Sequence, residues 1–194
     1  LQYRIQYFFD TMRTFFYLVS LFIFAGCAGP RLQNESSNFA QELVPESIRV
    51  SGKHAPSVRA FFNGGLIYTC LLKPTAENVL VYDWEETATQ GSLTFDNDLG
   101  YGRHEGPSYT WRLGTTILQG ALIASWSGNS RSDAPWNLYQ ATAAVGDTSL
   151  ARALWIQRLE TTGGAIPTVA CTSAQVGHTH AVSAQAYFIF WQKV

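Results

Sequence analysis

From Val44 onward, short apolar runs alternate with breaks rich in Gly, Asn, Asp and Pro. The stretch "VRAFFNGGLIYTCLL" reads as two runs on either side of Asn63-Gly64, a dipeptide that favours hairpin turns. "VLVYDW", "GSLTF", "YTWRL", "TILQGALIASW", "WNLYQATA", "ALWIQRLET" and "VSAQAYFIFWQ" follow, rich in β-branched and aromatic residues. Turn signals such as "FDNDLGYG" and "SGNSRSDAP" stand between them. The pattern predicts an all-β fold: an antiparallel β-sandwich or barrel-like domain of about nine strands over residues 44–194. Only "ATAAVGDTSLARAL" has room for a helical turn.

One run breaks the apolar pattern. In "ALWIQRLET", Leu154, Ile156 and Arg158 share one face of a strand, and Trp155, Gln157 and Leu159 share the other. Both faces are mixed, which predicts cover on both sides. A buried Arg158 needs acceptors for five donors. The "TTGGAIP" carbonyls, Glu160 and Asp83 are the candidates, and the expected role is a structural clamp. Gly163-Gly164 permits the reversal that follows.

The N-terminal part has another character. From Met12 runs "MRTFFYLVSLFIFAGCAGP": a basic start, an apolar core from Phe15 to Phe24, then small residues before Cys27. That is the layout of a secretory signal over residues 1–26, with 1–11 lying upstream of the start at Met12. Small residues before a cysteine resemble a bacterial lipobox, so Cys27 is expected to carry a lipid. The polar stretch up to residue 43 reads as a flexible tether. The expected partner is then a membrane, reached through the lipid on Cys27, and the expected location is the cell envelope, at the outer membrane.

Composition narrows the options. The chain is 46% hydrophobic and 14% aromatic but only 14% charged, with net charge -1. No block of like charges marks a nucleic-acid footprint. With Cys27 assigned to the lipid, Cys70 and Cys171 are an even pair in an exported domain; they are either a disulfide or two buried thiols, and export favours the disulfide.

Candidate chemistry is sparse. His104-Glu105, in the Gly-rich "GYGRHEGPSY", is the acid/base candidate, and it could equally be a turn-fixing histidine. No nucleophile motif occurs. His178 and His180 have strand spacing for a metal pair but no further ligand nearby, and no metal or cofactor is expected. Asp96 and Asp98 begin like a calcium loop but lack the closing Glu, so a tight turn is the expectation. Glu85 and Glu86 are adjacent and point to opposite faces. The six tryptophans are expected in the core rather than on a sugar platform.

In order, "LIYTC" (66–70), "GRHEGP" with "TW" (102–111), "PWNLYQA" (135–141), "IQRLETTGG" with Pro167 and Cys171, and "SAQAYFIF" resemble the domain-of-unknown-function family 3455, a group of secreted bacterial and fungal proteins. The resemblance spans Val44 to Trp191. It implies an exported, mainly β domain with Cys70 and Cys171 paired, and no established activity. Ser108 and Tyr109 lengthen the connection between Pro107 and Thr110-Trp111, and Leu66 stands where the family has a polar residue.

The expectation is therefore a lipid-anchored, disulfide-stabilised binding or structural module of the cell envelope, with a small molecule or glycan as its possible ligand. The alternative is a hydrolase of envelope or extracellular polymers that uses His104 and Glu105. Convergence of His104, Trp111, Tyr68 and Arg158 on one concave, open pocket would favour the enzyme or ligand-binding reading; if they are scattered or buried, both lose.

Overall fold

The computed structural model describes residues 41–97, 99–106, 109–127 and 130–194. The expected signal, lipidated Cys27 and the tether as far as residue 40 lie outside the described residues, as does Asp98. Eight strands form: β1 (His54–Pro74), β2 (Leu80–Phe95), β3 (Gly100–Gly106), β4 (Thr110–Leu113), β5 (Thr116–Trp126), β6 (Trp136–Val145), β7 (Trp155–Gly163) and β8 (Thr179–Lys193). Each pairs antiparallel with its chain neighbour, and β8 returns to β1 to close a barrel. The all-β expectation holds, in its barrel form. The helical turn in "ATAAVGDTSLARAL" is a 3-10 turn at Ser149–Arg152.

Two expected breaks are absent and one expected loop is a strand. Asn63-Gly64 makes no hairpin, because neither residue takes the positive φ that a tight type I′ turn requires. β1 runs straight through, with Gly64 opposite Gly91 of β2. A Cβ on Gly64 would lie 2.5 Å from the Gly91 Cα, so the glycines allow the two strands to coil closely there. "VLVYDW" and "GSLTF" likewise fuse into β2. The segment around His104, expected as a loop, is β3. Two fusions and one added strand turn nine expected strands into eight.

Inward-facing residues alternate along β1: Val58, Ala60, Phe62, Leu66, Tyr68 and Cys70 are all buried. An eight-stranded barrel is just wide enough for side chains to fill it. Here the filling is aromatic: His104 stacks on Trp111 with ring centroids 4.9 Å apart and planes 8° apart, and Phe188 and Phe62 meet His104 edge-on.

Outside, Leu138, Gln157 and Ile189 form one cross-strand row over β6, β7 and β8. The segment before β1 covers this side, with Val44 and Ile48 buried. Gln157 Nε2 donates to the Ile48 carbonyl at 2.7 Å, and its Oε1 accepts from Trp191 Nε1 at 2.9 Å and Gln41 Nε2 at 2.8 Å. A polar residue in mid-strand thus ties a covering segment to the barrel wall. The next residue, Arg158, faces the interior in a row with Asn137 and Phe188.

Candidate functional site

The barrel wall has a notch. β3 pairs with β2 only along Thr89–Phe95, and β4 pairs with β5 only along Thr116–Gln119. The rest of β2 pairs with β1 alone, and β5 beyond Gly120 pairs with β6 alone. A cavity of about 480 Å³ opens between them. Asp83, Trp84, Glu85 and Glu86 line it from β2, Leu122 and Ser125 from β5, and Tyr109 from the loop before β4. Tyr68, Pro135, Asn137 and Arg158 also line it.

Arg158 dominates the polar part. It is 1% exposed, and its two terminal nitrogens donate to the two Glu86 carboxylate oxygens at 2.9 and 3.0 Å. Its Nε donates to the Pro135 carbonyl at 3.3 Å. With the Asn137 amide oriented to satisfy its neighbours, Oδ1 accepts from Arg158 Nη2 and from the Tyr139 hydroxyl, both at 2.8 Å, and Nδ2 donates to Ser125 Oγ at 2.8 Å. This two-pronged pairing is the geometry a planar guanidinium provides and an ammonium does not. Burial pulls the Arg158 pKa down, but Tyr139 and Glu86 push it up further, so it lies above the ordinary arginine value. The expected acceptors prove to be others: Glu160 is exposed, and Asp83 pairs with Lys73 at 3.2 Å.

The loop after β7 forms another wall. The Tyr68 hydroxyl donates to the Gly164 carbonyl at 2.7 Å, and Trp84 Nε1 donates to the Val169 carbonyl at 2.7 Å. Cys70 and Cys171 are disulfide-bonded, with Cα atoms 5.5 Å apart. Gly163 and Gly164 both hold positive φ, and a Cβ on Gly163 would lie 2.6 Å from the Ser183 carbonyl oxygen. The loop enters through a reversal that glycine alone accommodates. Ile166 of this loop lines the cavity.

The tyrosines at the cavity keep their protons. Burial, reinforced by Glu86, pushes the Tyr68 pKa up to about 12, and the same two causes raise Tyr109. Both hydroxyls therefore act as hydrogen-bonding groups near neutrality, not as bases.

Of the sequence candidates, Tyr68 and Arg158 meet at the cavity, while His104 and Trp111 sit in the aromatic core. His104 Nδ1 donates to the Thr110 carbonyl at 2.9 Å, and its Nε2 has no partner among the described residues. Burial lowers its pKa to about 3, which the Thr110 bond only partly opposes. Glu105, next along β3, turns outward and pairs with Arg112 at 2.8 Å. The two cannot serve one bond. His178 and His180 are both exposed, and among the described residues no group of three or more His, Cys, Asp or Glu could hold a metal. Trp84, Trp111 and Trp191 are core residues, and Trp126 and Trp136 pair across β5 and β6 at 5.2 Å.

Sequence reasoning missed Glu86, Tyr109, Asn137, Ser125 and Leu122. Glu86 was hidden by a bulge: Tyr68 pairs with Glu86 but Ile67 pairs with Ala88, leaving Thr87 over. That extra residue reverses which β2 positions face inward, so simple alternation fails there.

The family described as a protein of unknown function, DUF3455, has a model that matches residues 70–192, more than half of the chain. This chain belongs to that family. The match covers β2 to β7, nearly all of β8 and the end of β1, and so takes in both bonded cysteines and both members of the Arg158–Glu86 pair. No curated protein and no solved structure matches the chain.

Proposed function

We propose that this chain is an exported binding module, anchored to the cell envelope through a lipid on Cys27, that holds its ligand in the notch between β2 and β5. The observation that carries the reading is the cavity floor. Arg158, Asn137 and Tyr68, each buried and already paired, brace Glu86 from beneath, so a ligand meets a preformed floor with apolar walls at Leu122 and Ile166. Export is supported by the disulfide, since such bonds persist in oxidising compartments.

The described polar side chains at the site are engaged, Asp83 and Glu85 by Lys73. Ser125 Oγ is engaged with Asn137, the tyrosines are protonated, and Glu86 is gripped by Arg158. The hydrolase alternative loses its acid–base pair, because His104 is buried and Glu105 faces the other way.

The test is an unbiased screen of small molecules, glycans and peptides against the soluble domain, with Leu122→Trp as a variant that fills the notch. Ligands should bind wild type and lose affinity for Leu122→Trp. Ligands that bind both equally would place the site elsewhere. For the anchor, the mass of protein from the membrane fraction should show a lipid that disappears in Cys27→Ser. An unmodified chain retaining residues before Cys27 overturns that part.

A further inference from the structure

The two banks of the notch differ in how their free edges are managed. In an antiparallel ladder, a residue's N–H and C=O point to the same edge, and successive residues alternate. The Gly120 N–H donates to the Tyr109 carbonyl at 2.9 Å, on the β4 side. Leu122, two residues on, therefore turns its own N–H and C=O toward the notch. The other side of β5 agrees. The Ala141 N–H goes to the Leu154 carbonyl, so Gln140 is the residue that faces β5, and its partner is Ala121.

Across the notch, the edge of β2 is guarded by charge. The Trp84 N–H is capped at 2.9 Å by the carboxylate of Asp83, and Lys73 bridges Asp83 and Glu85 at 3.2 and 3.6 Å. Charges of this kind are how sheet edges are kept from pairing. The β5 bank has none: Gly120–Ser125 reads GALIAS, with Leu122 and Ile123 exposed at 42% and 52%. An unguarded, uncharged strand edge beside a cavity is a template for one more strand.

Resting on the reading of the notch as the binding site, we propose that its occupant is an extended peptide segment of a partner protein, which adds to the free edge of β5 at Leu122. Where β3 and β4 have ended, two strand positions of the wall between β2 and β5 are left open, each about 4.8 Å wide in a paired sheet. One added strand fits, with room for its inward side chains. The cavity carries three carboxylates, Asp83, Glu85 and Glu86, against two cations, Lys73 and Arg158. The segment is therefore apolar where it meets Leu122 and Ile166, and carries a basic side chain toward Asp83 and Glu85. A compact ligand would use the floor and leave the Leu122 main chain unpaired; the strand uses both. The bulge between Leu122 and Ala124 keeps the added pairing short.

The experiment is selection of linear peptides from a random display library on the wild-type domain, followed by affinities for Leu122→Pro and Leu122→Ala. Proline removes an N–H that no ladder partner uses, so the barrel keeps its wild-type melting point. Leu122→Ala and Leu122→Pro both remove the wall side chain, but only proline removes the N–H, so Leu122→Pro should bind selected peptides about tenfold more weakly than Leu122→Ala does. As a readout independent of the variant's folding, N-methylation along the peptide should abolish binding at alternate positions only. Asp83→Asn with Glu85→Gln should weaken basic peptides selectively. Peptides indifferent to Leu122→Pro and to the parity of N-methylation overturn the inference, as does a library that yields no binders. If small molecules or glycans are meanwhile lost in Leu122→Trp, the notch reading stands and only the peptide falls. If Leu122→Trp displaces nothing, both fall.

Discussion

Arg158 of β7 and Glu86 of β2 meet inside the barrel, where the two terminal guanidinium nitrogens each donate to one carboxylate oxygen, at 2.9 and 3.0 Å. The two strands are not neighbours in the sheet, so the pair is a strut across the interior as well as the floor of the notch. Removing one partner of a buried ion pair leaves an uncompensated charge and typically costs about 3–5 kcal/mol. Arg158→Met should destabilise by about that amount in a denaturant melt. Arg158→Lys should also destabilise, because an ammonium lacks the planar fork. The double variant Arg158→Met with Glu86→Leu should recover much of the loss, since an apolar pair of similar volume is close to neutral. Single variants that melt like wild type would show that the strut bears no load.

His104 should make the fold acid-sensitive. Its folded pKa lies near 3 because burial disfavours the charged ring, against about 6.5 for an unfolded histidine. Below pH 6.5 the unfolded chain takes up a proton that the folded one refuses, so stability falls as the pH drops. One proton of difference corresponds to about 1.4 kcal/mol per pH unit, ending where the folded ring also protonates, near pH 3. Stability measured from pH 7 to pH 4 should fall more steeply for wild type than for His104→Phe, which keeps the ring packing on Trp111. Equal slopes would contradict this account of His104.

The disulfide joins cysteines 101 positions apart in sequence and anchors the segment that walls the notch. Loss of a native bridge in a small exported domain typically costs about 2–5 kcal/mol. Cys171→Ser should lower the melting temperature and, by loosening the loop, change the fluorescence of Trp84, whose indole is bonded to Val169. Non-reducing peptide mapping of the purified protein should find Cys70 linked to Cys171; two free thiols would contradict the pairing.

Gln157 makes a parallel case on the outer face. Gln157→Leu preserves bulk but strands the Trp191 Nε1 donor and the Ile48 carbonyl. A buried group left unpaired costs about 1–3 kcal/mol. The variant should melt lower and be cut more readily by protease between residues 41 and 50. Unchanged proteolysis would show that the segment is held by Val44 and Ile48 alone.

These residues also mark how far the sequence could be read. The mixed faces of "ALWIQRLET" correctly signalled cover on both sides, because alternation is a local property. The partner of Arg158 was not legible: Glu86 is remote in sequence, and the Thr87 bulge moves it onto the inner face. Asn63-Gly64 misled because the same dipeptide that favours a turn also lets two strands approach closely, and only the facing Gly91 distinguishes the cases. The notch itself depends on β3 and β4 being shorter than β2 and β5. That is a fact of pairing length, which hydrophobic periodicity does not encode. The pairing of Cys70 with Cys171 was legible because the cysteines were few.

Amide hydrogen exchange at Leu122 reports directly on the proposed binding at the notch between β2 and β5. In the free protein that amide should exchange quickly, while those of the β5 ladder with β4 and β6 are protected. On addition of the tightest ligand from the screen, the Leu122 amide should become protected, with the outer row at Leu138, Gln157 and Ile189 unchanged. A Leu122 amide already protected in the free protein, or ligand protection confined to another face of the barrel, would contradict the account.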